Sequence, residues 1–235
     1  MNQPQNNYKH SLHEVHDLLI KRDLEDAEIS RNNKANLLEK GMTVVKPKRF
    51  VTVDTGVIVG IENVVRHITE QILKNDQIIS LQGLSGVGKS STAKALKHSI
   101  NGLSFSFGEI FRYLTYKHYL HGLDDFGEIM EPIYYRQIEN NLCLYCAEEN
   151  ITRGLSRHLT DPILVSKVPS VAAQTQDLAI RFVKKEIERI GSETNCMIVI
   201  EGRDFTLDFL PCDLRIELYA DPMIRAKRRL HQNID

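Results

Sequence analysis

QIISLQGLSGVGKSSTAKAL, residues 77–96, decides the reading of this chain: an apolar run, a glycine-rich turn and a helix-forming segment follow one another. Gly83, Gly88, Lys89 and Ser90 satisfy the pattern G-x-x-x-x-G-K-[ST] without a mismatch. A strand ending in such a turn presents consecutive backbone N–H groups to one concavity, where they surround a phosphate. Glycines are needed because a Cβ would block the approach of the anion. Gly83, Leu84, Ser85, Gly86, Val87, Gly88, Lys89, Ser90 and Ser91 are therefore the expected seat of a nucleoside triphosphate. Lys89 reaches the β- and γ-phosphates as a point charge, Ser90 offers its hydroxyl to Mg²⁺, and the following helix adds positive potential at its N-terminus. Ile78, Ile79 and Leu81 before the loop, and the helical pattern of residues 92–100 after it, supply the strand and helix that this motif requires.

The bulk composition is that of an ordinary globular chain. In 235 residues, 42% are hydrophobic and 26% charged, and the net charge is −1. No basic excess points to nucleic acid, no apolar run is long enough for a membrane span, and the N-terminus lacks a signal pattern. A cytoplasmic protein acting on small-molecule nucleotides is expected. Cys143 and Cys146 form a lone C-x-x-C, with Cys196 and Cys212 elsewhere; without a second ligand pair they read as free thiols. His10, His13 and His16 share a helix face but have no carboxylate or cysteine to complete a metal site, so they read as a solvated face.

Upstream of the loop, residues 1–9 are polar and read as disordered. Residues 10–40 place Leu12, Val15, Leu19, Leu37 and Leu38 sparsely among charges, which predicts one or two surface helices that dock on something. FVTV and VIV flank Asp54-Thr55-Gly56, which reads as a hairpin turn rather than a protease triplet. Val64, Val65, Ile68 and Ile72 then fall at helical spacing. Downstream, residues 103–106, 142–147, 197–200 and 214–220 read as strands. Val171, Leu178, Phe182, Ile187 and Ile190 define one face of a helix.

Four motifs in residues 77–235 resemble the cytidylate kinase family: the phosphate loop, G-E-I-F-R at residues 108–112, Gly202-Arg203-Asp204, and A-D-P-x-x-R-A-x-R-R from Ala220. The resemblance implies a three-layer α/β/α nucleoside-monophosphate kinase fold with a parallel sheet, built from strands near residues 77, 103, 197 and 214. It implies transfer of the γ-phosphoryl group of ATP to CMP or dCMP. Arg112, Gly202, Arg203 and Asp204 would hold the acceptor, Lys89 and Arg203 would act in catalysis, and Arg225, Arg228 and Arg229 would lie on the side of a lid. Residues 150–162, with Asn150-Ile151-Thr152 and Thr160-Asp161-Pro162, resemble part of the family's small β insertion over the acceptor base.

The sequence departs from the family in places. Phe107 stands where many members have serine or alanine, so it is expected to stack on a base instead of hydrogen-bonding to it. Leu178 stands where members carry a phosphate-binding arginine, with Arg181 one turn later. Family members continue past the basic helix through a lid bearing arginines and an aspartate, then a last strand and helix, and those elements are expected to be missing after residue 235. The sequence therefore divides into an N-terminal helical extension, residues 1–75, offering a surface for a protein partner, and a kinase-like domain, residues 76–235. A P-loop kinase of another small acceptor, and a nucleotide-binding regulatory module, are the other readings left open.

Overall fold

The computed structural model describes residues 11–154, 157–158 and 161–232. The expectations for residues 1–9, His10 and Thr160 lie outside the described residues. Five parallel strands form the central sheet: β1 (Arg49–Asp54), β2 (Ile78–Gly83), β3 (Leu103–Ser106), β7 (Ile198–Glu201) and β8 (Leu214–Tyr219), in the order β1-β8-β2-β7-β3. The apolar runs at residues 78–81 and 198–200 are short and continuous because both faces of such a sheet are covered. Their side chains alternate between two cores. Ile198 and Ile200 face one, and Val199 faces the other. Helices α2 (Ile61–Thr69) and α3 (Lys89–Ser99) cover the Val199 face through Val64, Val65, Ile68, Ala93 and Leu96. Helices α4 (Phe107–His121) and α7 (Pro162–Glu193) cover the opposite face through Ile110, Leu114, Ile180, Val183 and Ile187. Full burial of residues such as Ile68 and Leu81 contributes about 1.5–3 kcal/mol each, so the sheet and its two helical layers form one cooperative unit.

Between α4 and α7 the chain makes α5 (Phe126–Met130), then an antiparallel sheet of β4 (Ile133–Ile138), β5 (Asn141–Cys146) and β6 (Glu149–Asn150), then the short α6 (Ile151–Gly154). Glu139 takes φ of 54° in the two-residue turn between β4 and β5. The small antiparallel sheet lies mostly ahead of residues 150–162, whose start is helical, and the unit is tied to α4 by Thr152, whose Oγ1 donates to Glu109 at 2.6 Å. The remaining elements are α1 (Leu12–Glu39), α8 (Asp204–Leu207) and α9 (Pro222–Gln232). No helix among the described residues is long and apolar enough to cross a membrane. All four cysteines are unbridged.

The structure changes the reading of residues 11–75. A single 28-residue helix, α1, opens with a capping box between Ser11 and Glu14. FVTV does not fold back on VIV as a hairpin. It lies within β1, which pairs in parallel with β8, Val51 opposite Ile216 and Val53 opposite Leu218. Asp54 Oδ1 accepts from Gly56 N at 2.8 Å, which turns the chain out of the sheet towards α2. The sheet edge beside β8 is therefore filled by a strand from ahead of the phosphate loop. Arg49 fastens the start of β1 through Asp76 and the Gln71 carbonyl, next to the entry of β2.

Candidate active site

β2 ends at Gly83, in the middle of the sheet, and the loop after it cannot carry a side chain there. A Cβ on Gly83 would stand 2.2 Å from the Leu218 carbonyl oxygen, closer than any real contact. Gly83, Gly86 and Gly88 all take positive φ, at 142°, 84° and 94°, a region that L-residues with side chains seldom adopt. Gly88 caps α3 in the left-handed conformation, so the chain enters the helix at Lys89. Among the described residues, the N–H groups of residues 84–88 donate to no protein acceptor. Unpaired donors converging at a helix N-terminus form an anion cradle. A cavity of about 720 Å³ opens above the loop. Its other walls come from Thr55, Ile58 and Ile61 behind β1 and from Ile224 and Arg228 of α9.

The Lys89 ammonium folds back over this loop and donates to the carbonyls of Gly83 at 2.5 Å and Leu84 at 2.9 Å. Burial foremost, and then the like charge of Arg203, lower its pKa to about 8 against the opposing pull of Glu201 and Asp26. The unfolded chain therefore holds the proton between pH 8 and the ordinary lysine value while the folded chain does not, and stability rises with pH in that window. A polyphosphate would reverse the shift by stabilising the ammonium. ATP affinity is accordingly expected to fall by up to about tenfold per pH unit above pH 8, with proton uptake on binding. Calorimetry at pH 8.5–9.5 in buffers of different ionisation enthalpy measures that uptake, and a pH-independent affinity would remove the electrostatic role of Lys89.

Ser90 is exposed at the first turn of α3, and its hydroxyl bonds to no protein group among the described residues. On the neighbouring strand, Glu201 ends β7 opposite Leu81, with its Oε2 buried and unpartnered. Ser90 and Glu201 thus offer hard oxygen donors, one of them an orphaned carboxylate oxygen whose charge is felt at Lys89, and donors of that kind could hold a hard divalent cation. Glu201 was not singled out from the sequence, although a carboxylate closing a buried strand next to the loop strand is a legible sign.

Gly202, Arg203 and Asp204 follow directly and lead into α8. Arg203 and Asp204 do not pair with each other. Arg203 Nη1 donates to Asp26 of α1 at 2.5 Å, and Asp204 accepts from the Ser30 hydroxyl at 3.0 and 3.1 Å. Gly202 packs over Leu207 and the ring of Phe107. Phe107 is buried and stacked on Phe111, with centroids 6.1 Å apart, so it forms the floor of the site and has no face free to stack on a base. Arg112 lies in the second turn of α4, the helix that follows strand β3, beside Gly108 and Glu109. It is half-buried and makes no hydrogen bond or ion pair among the described residues. Burial raises the pKa of Glu109 from its ordinary value, and the hydrogen bond from Thr152 and then the charge of Arg112 partly offset that. Arg181 is exposed on α7 and takes no part in these contacts.

The basic helix α9 closes the other side. Arg228 donates to the Thr55 hydroxyl at 3.0 Å and its carbonyl at 2.5 Å, and Arg229 donates to the Ser85 hydroxyl at 2.6 Å. Arg225 is buried against the loop itself, donating to the Ser85 carbonyl at 3.1 Å and forking onto Asp23 of α1 at 2.5 and 3.1 Å. These arginines therefore lie against the phosphate loop, and α1 supplies carboxylates that the sequence had not marked.

A central phosphate loop on a parallel sheet, an arginine following each of the next two strands and a small antiparallel sheet packed on α4 define a P-loop kinase of the nucleoside-monophosphate type. Residues 79–235 match the family model described as cytidylate kinase, and the chain belongs to that family. It is similar to the cytidylate kinase of Mesomycoplasma hyopneumoniae strain 232, with 31% identity over 160 residues, covering 66% of this chain and 67% of the relative. It is also similar to that of Chlamydia trachomatis serovar L2, with 32% identity over 161 residues, covering 65% and 70%. A third, from Mycobacterium leprae, is 27% identical over 165 residues, covering 68% and 70%.

Proposed function

We propose that this protein transfers the γ-phosphoryl group of ATP to CMP or dCMP, giving ADP and the cytidine diphosphate. The observation that carries the reading is the pairing of two anion sites on neighbouring strand ends: the unpaired amides and Lys89 after β2, and Arg203 after β7. The loop amides and Lys89 hold the β- and γ-phosphates. Arg112, Arg203 and Asp204 orient the acceptor. An oxygen of the acceptor phosphate attacks the γ-phosphorus in line as the bond to the β–γ bridging oxygen breaks, and ADP leaves with that electron pair. No protein nucleophile is required, because the acceptor supplies it; the protein supplies alignment and positive charge. When bound, Mg²⁺ would neutralise charge on the β- and γ-oxygens, held near Ser90 and Glu201. A cytoplasmic setting is consistent with the nucleotide substrates.

The test is an acceptor panel with ATP and Mg²⁺. CMP and dCMP are expected to turn over with kcat/KM at least about a hundredfold above UMP, AMP and GMP. Turnover of another acceptor with CMP inert would reject the base assignment. ATP binding without transfer to any acceptor would favour the regulatory reading.

A further inference from the structure

Three features of residues 11–76 have no place in an appendage. β1 occupies the sheet edge beside β8 in parallel register, the position that a strand following β8 and α9 would take by one helical crossover. α2 completes the helical layer next to α3, and Thr55, between β1 and α2, bonds the Val87 carbonyl of the phosphate loop at 3.1 Å. Most tellingly, α1 turns a polar stripe towards the strand ends. Asp23, Asp26, Ser30 and Lys34 recur at helical spacing and engage Arg225, Arg203, Asp204 and Asp208. Asp26 also lies 3.9 Å from Arg22, and the charges of Asp26 and Arg22 are both felt at Lys89. Carboxylates aimed at the arginines of a phosphate site belong to the machinery of that site.

The chain comparison points the same way. The match to the Mesomycoplasma relative leaves about a third of each protein unmatched, and in this chain the family model begins at residue 79. We propose that residues 11–76 are the closing part of the kinase, moved to the front of the chain: a circular permutation in which the helix over the site, the edge strand and the last helix precede the phosphate loop. The contact between α1 and α9, through Asp23 and Arg225, brings the first and last helices of the described residues together. That proximity is the condition under which a permuted order costs a fold little. In this arrangement Asp26 is a positioning residue: it holds Arg203 ready at the acceptor site and yields it when an anion arrives. The inference rests on the kinase reading for its kinetic test only.

Two experiments test it. In the full chain, Asp26→Ala is expected to raise KM for CMP about tenfold while KM for ATP moves less than about twofold. Asp26→Glu should recover part of the loss, and Glu25→Ala, on the exposed face, should change neither constant. Equal behaviour of Asp26→Ala and Glu25→Ala would overturn the role of α1. Separately, a chain carrying residues 77–235 first, then a Gly/Ser linker of about ten residues, then residues 1–76, is expected to unfold within a few degrees of the parent and to keep its transfer rate within about fivefold. A reordered chain that fails to fold, or folds without transfer, would overturn the permutation. A parent inactive on CMP would instead reject the kinase reading, while the unfolding temperature of the reordered chain would still report on the permutation.

Discussion

Replacing Lys89 by alanine is expected to lower kcat by about 10²–10³-fold and to weaken ATP binding, with the unfolding temperature unchanged or raised. The ammonium stands over the loop on two carbonyl hydrogen bonds, in surroundings that already press it towards neutrality. Removing it therefore takes away no favourable folding term, and it relieves a buried charge at neutral pH. What is lost is the only lysine over the amides of residues 84–88 among the described residues lining the loop cavity, apart from Lys227 on α9. A variant that unfolded earlier and lost activity in step with its stability would assign Lys89 a structural role. Steady-state kinetics together with thermal unfolding separates the two outcomes.

Arg203→Ala is expected to act on the other substrate. Its guanidinium reaches out from the end of β7 to Asp26, and it is only half-buried, so the fold tolerates its loss. The expected result is a fall in kcat/KM for CMP of about 10²–10³-fold, with ATP affinity preserved below pH 8. The change should also appear at Lys89, because the charge of Arg203 is the second cause of that group's lowered pKa. In Arg203→Ala the decline of ATP affinity with pH should begin at a higher pH than in the parent. Equal losses towards ATP and CMP, with no displacement of the pH profile, would contradict the separation of donor and acceptor sites. Kinetics with each substrate varied in turn, between pH 7 and 9.5, measures both effects.

The parts of this molecule that were legible in the sequence are those whose cause is local. The phosphate loop is a backbone requirement met within eight residues, and the structure places Gly83, Gly86 and Gly88 at the positive φ values that such a loop demands. The bounds expected for Leu103–Ser106 are those observed, where buried Leu103 and Phe105 alternate with half-buried serines on an edge strand, and those of Ile198–Glu201 differ by one residue, because a strand covered on both faces is a short apolar run between polar residues. The edge strand was half legible. Residues 50–53 read as strand, yet the partner, β8, lies some 165 residues away, and the nearby VIV with an intervening Asp-Thr-Gly made a hairpin the simpler solution. Nothing local distinguishes the two pairings.

The polar face of α1 was hidden for a different reason. Leu19 and Leu37 mark a buried stripe, but the positions between them on that stripe, Asp23, Asp26, Ser30 and Lys34, are polar, so the helix looks solvated. They are polar because their partners are Arg225, Arg203, Asp204 and Asp208. Charged residues that continue the period of the apolar ones, in a chain whose site is rich in arginine, are the signal that would have found them. Arg225 shows the converse. Expected on the side of a lid, it is 1% exposed and paired with Asp23. Burial of a guanidinium is tolerable only with such a partner, so α1 and α9 depend on each other.

The most direct test is a crystal structure with an inhibitor that joins adenosine to cytidine through a polyphosphate bridge. The triphosphate portion is expected among the amides of residues 84–88 and Lys89, and the cytidine-side phosphate between Arg112 and Arg203, with Asp26 displaced from Arg203. An inhibitor bound away from the loop, or bound there with Arg112 and Arg203 turned away from its phosphates, would contradict the account.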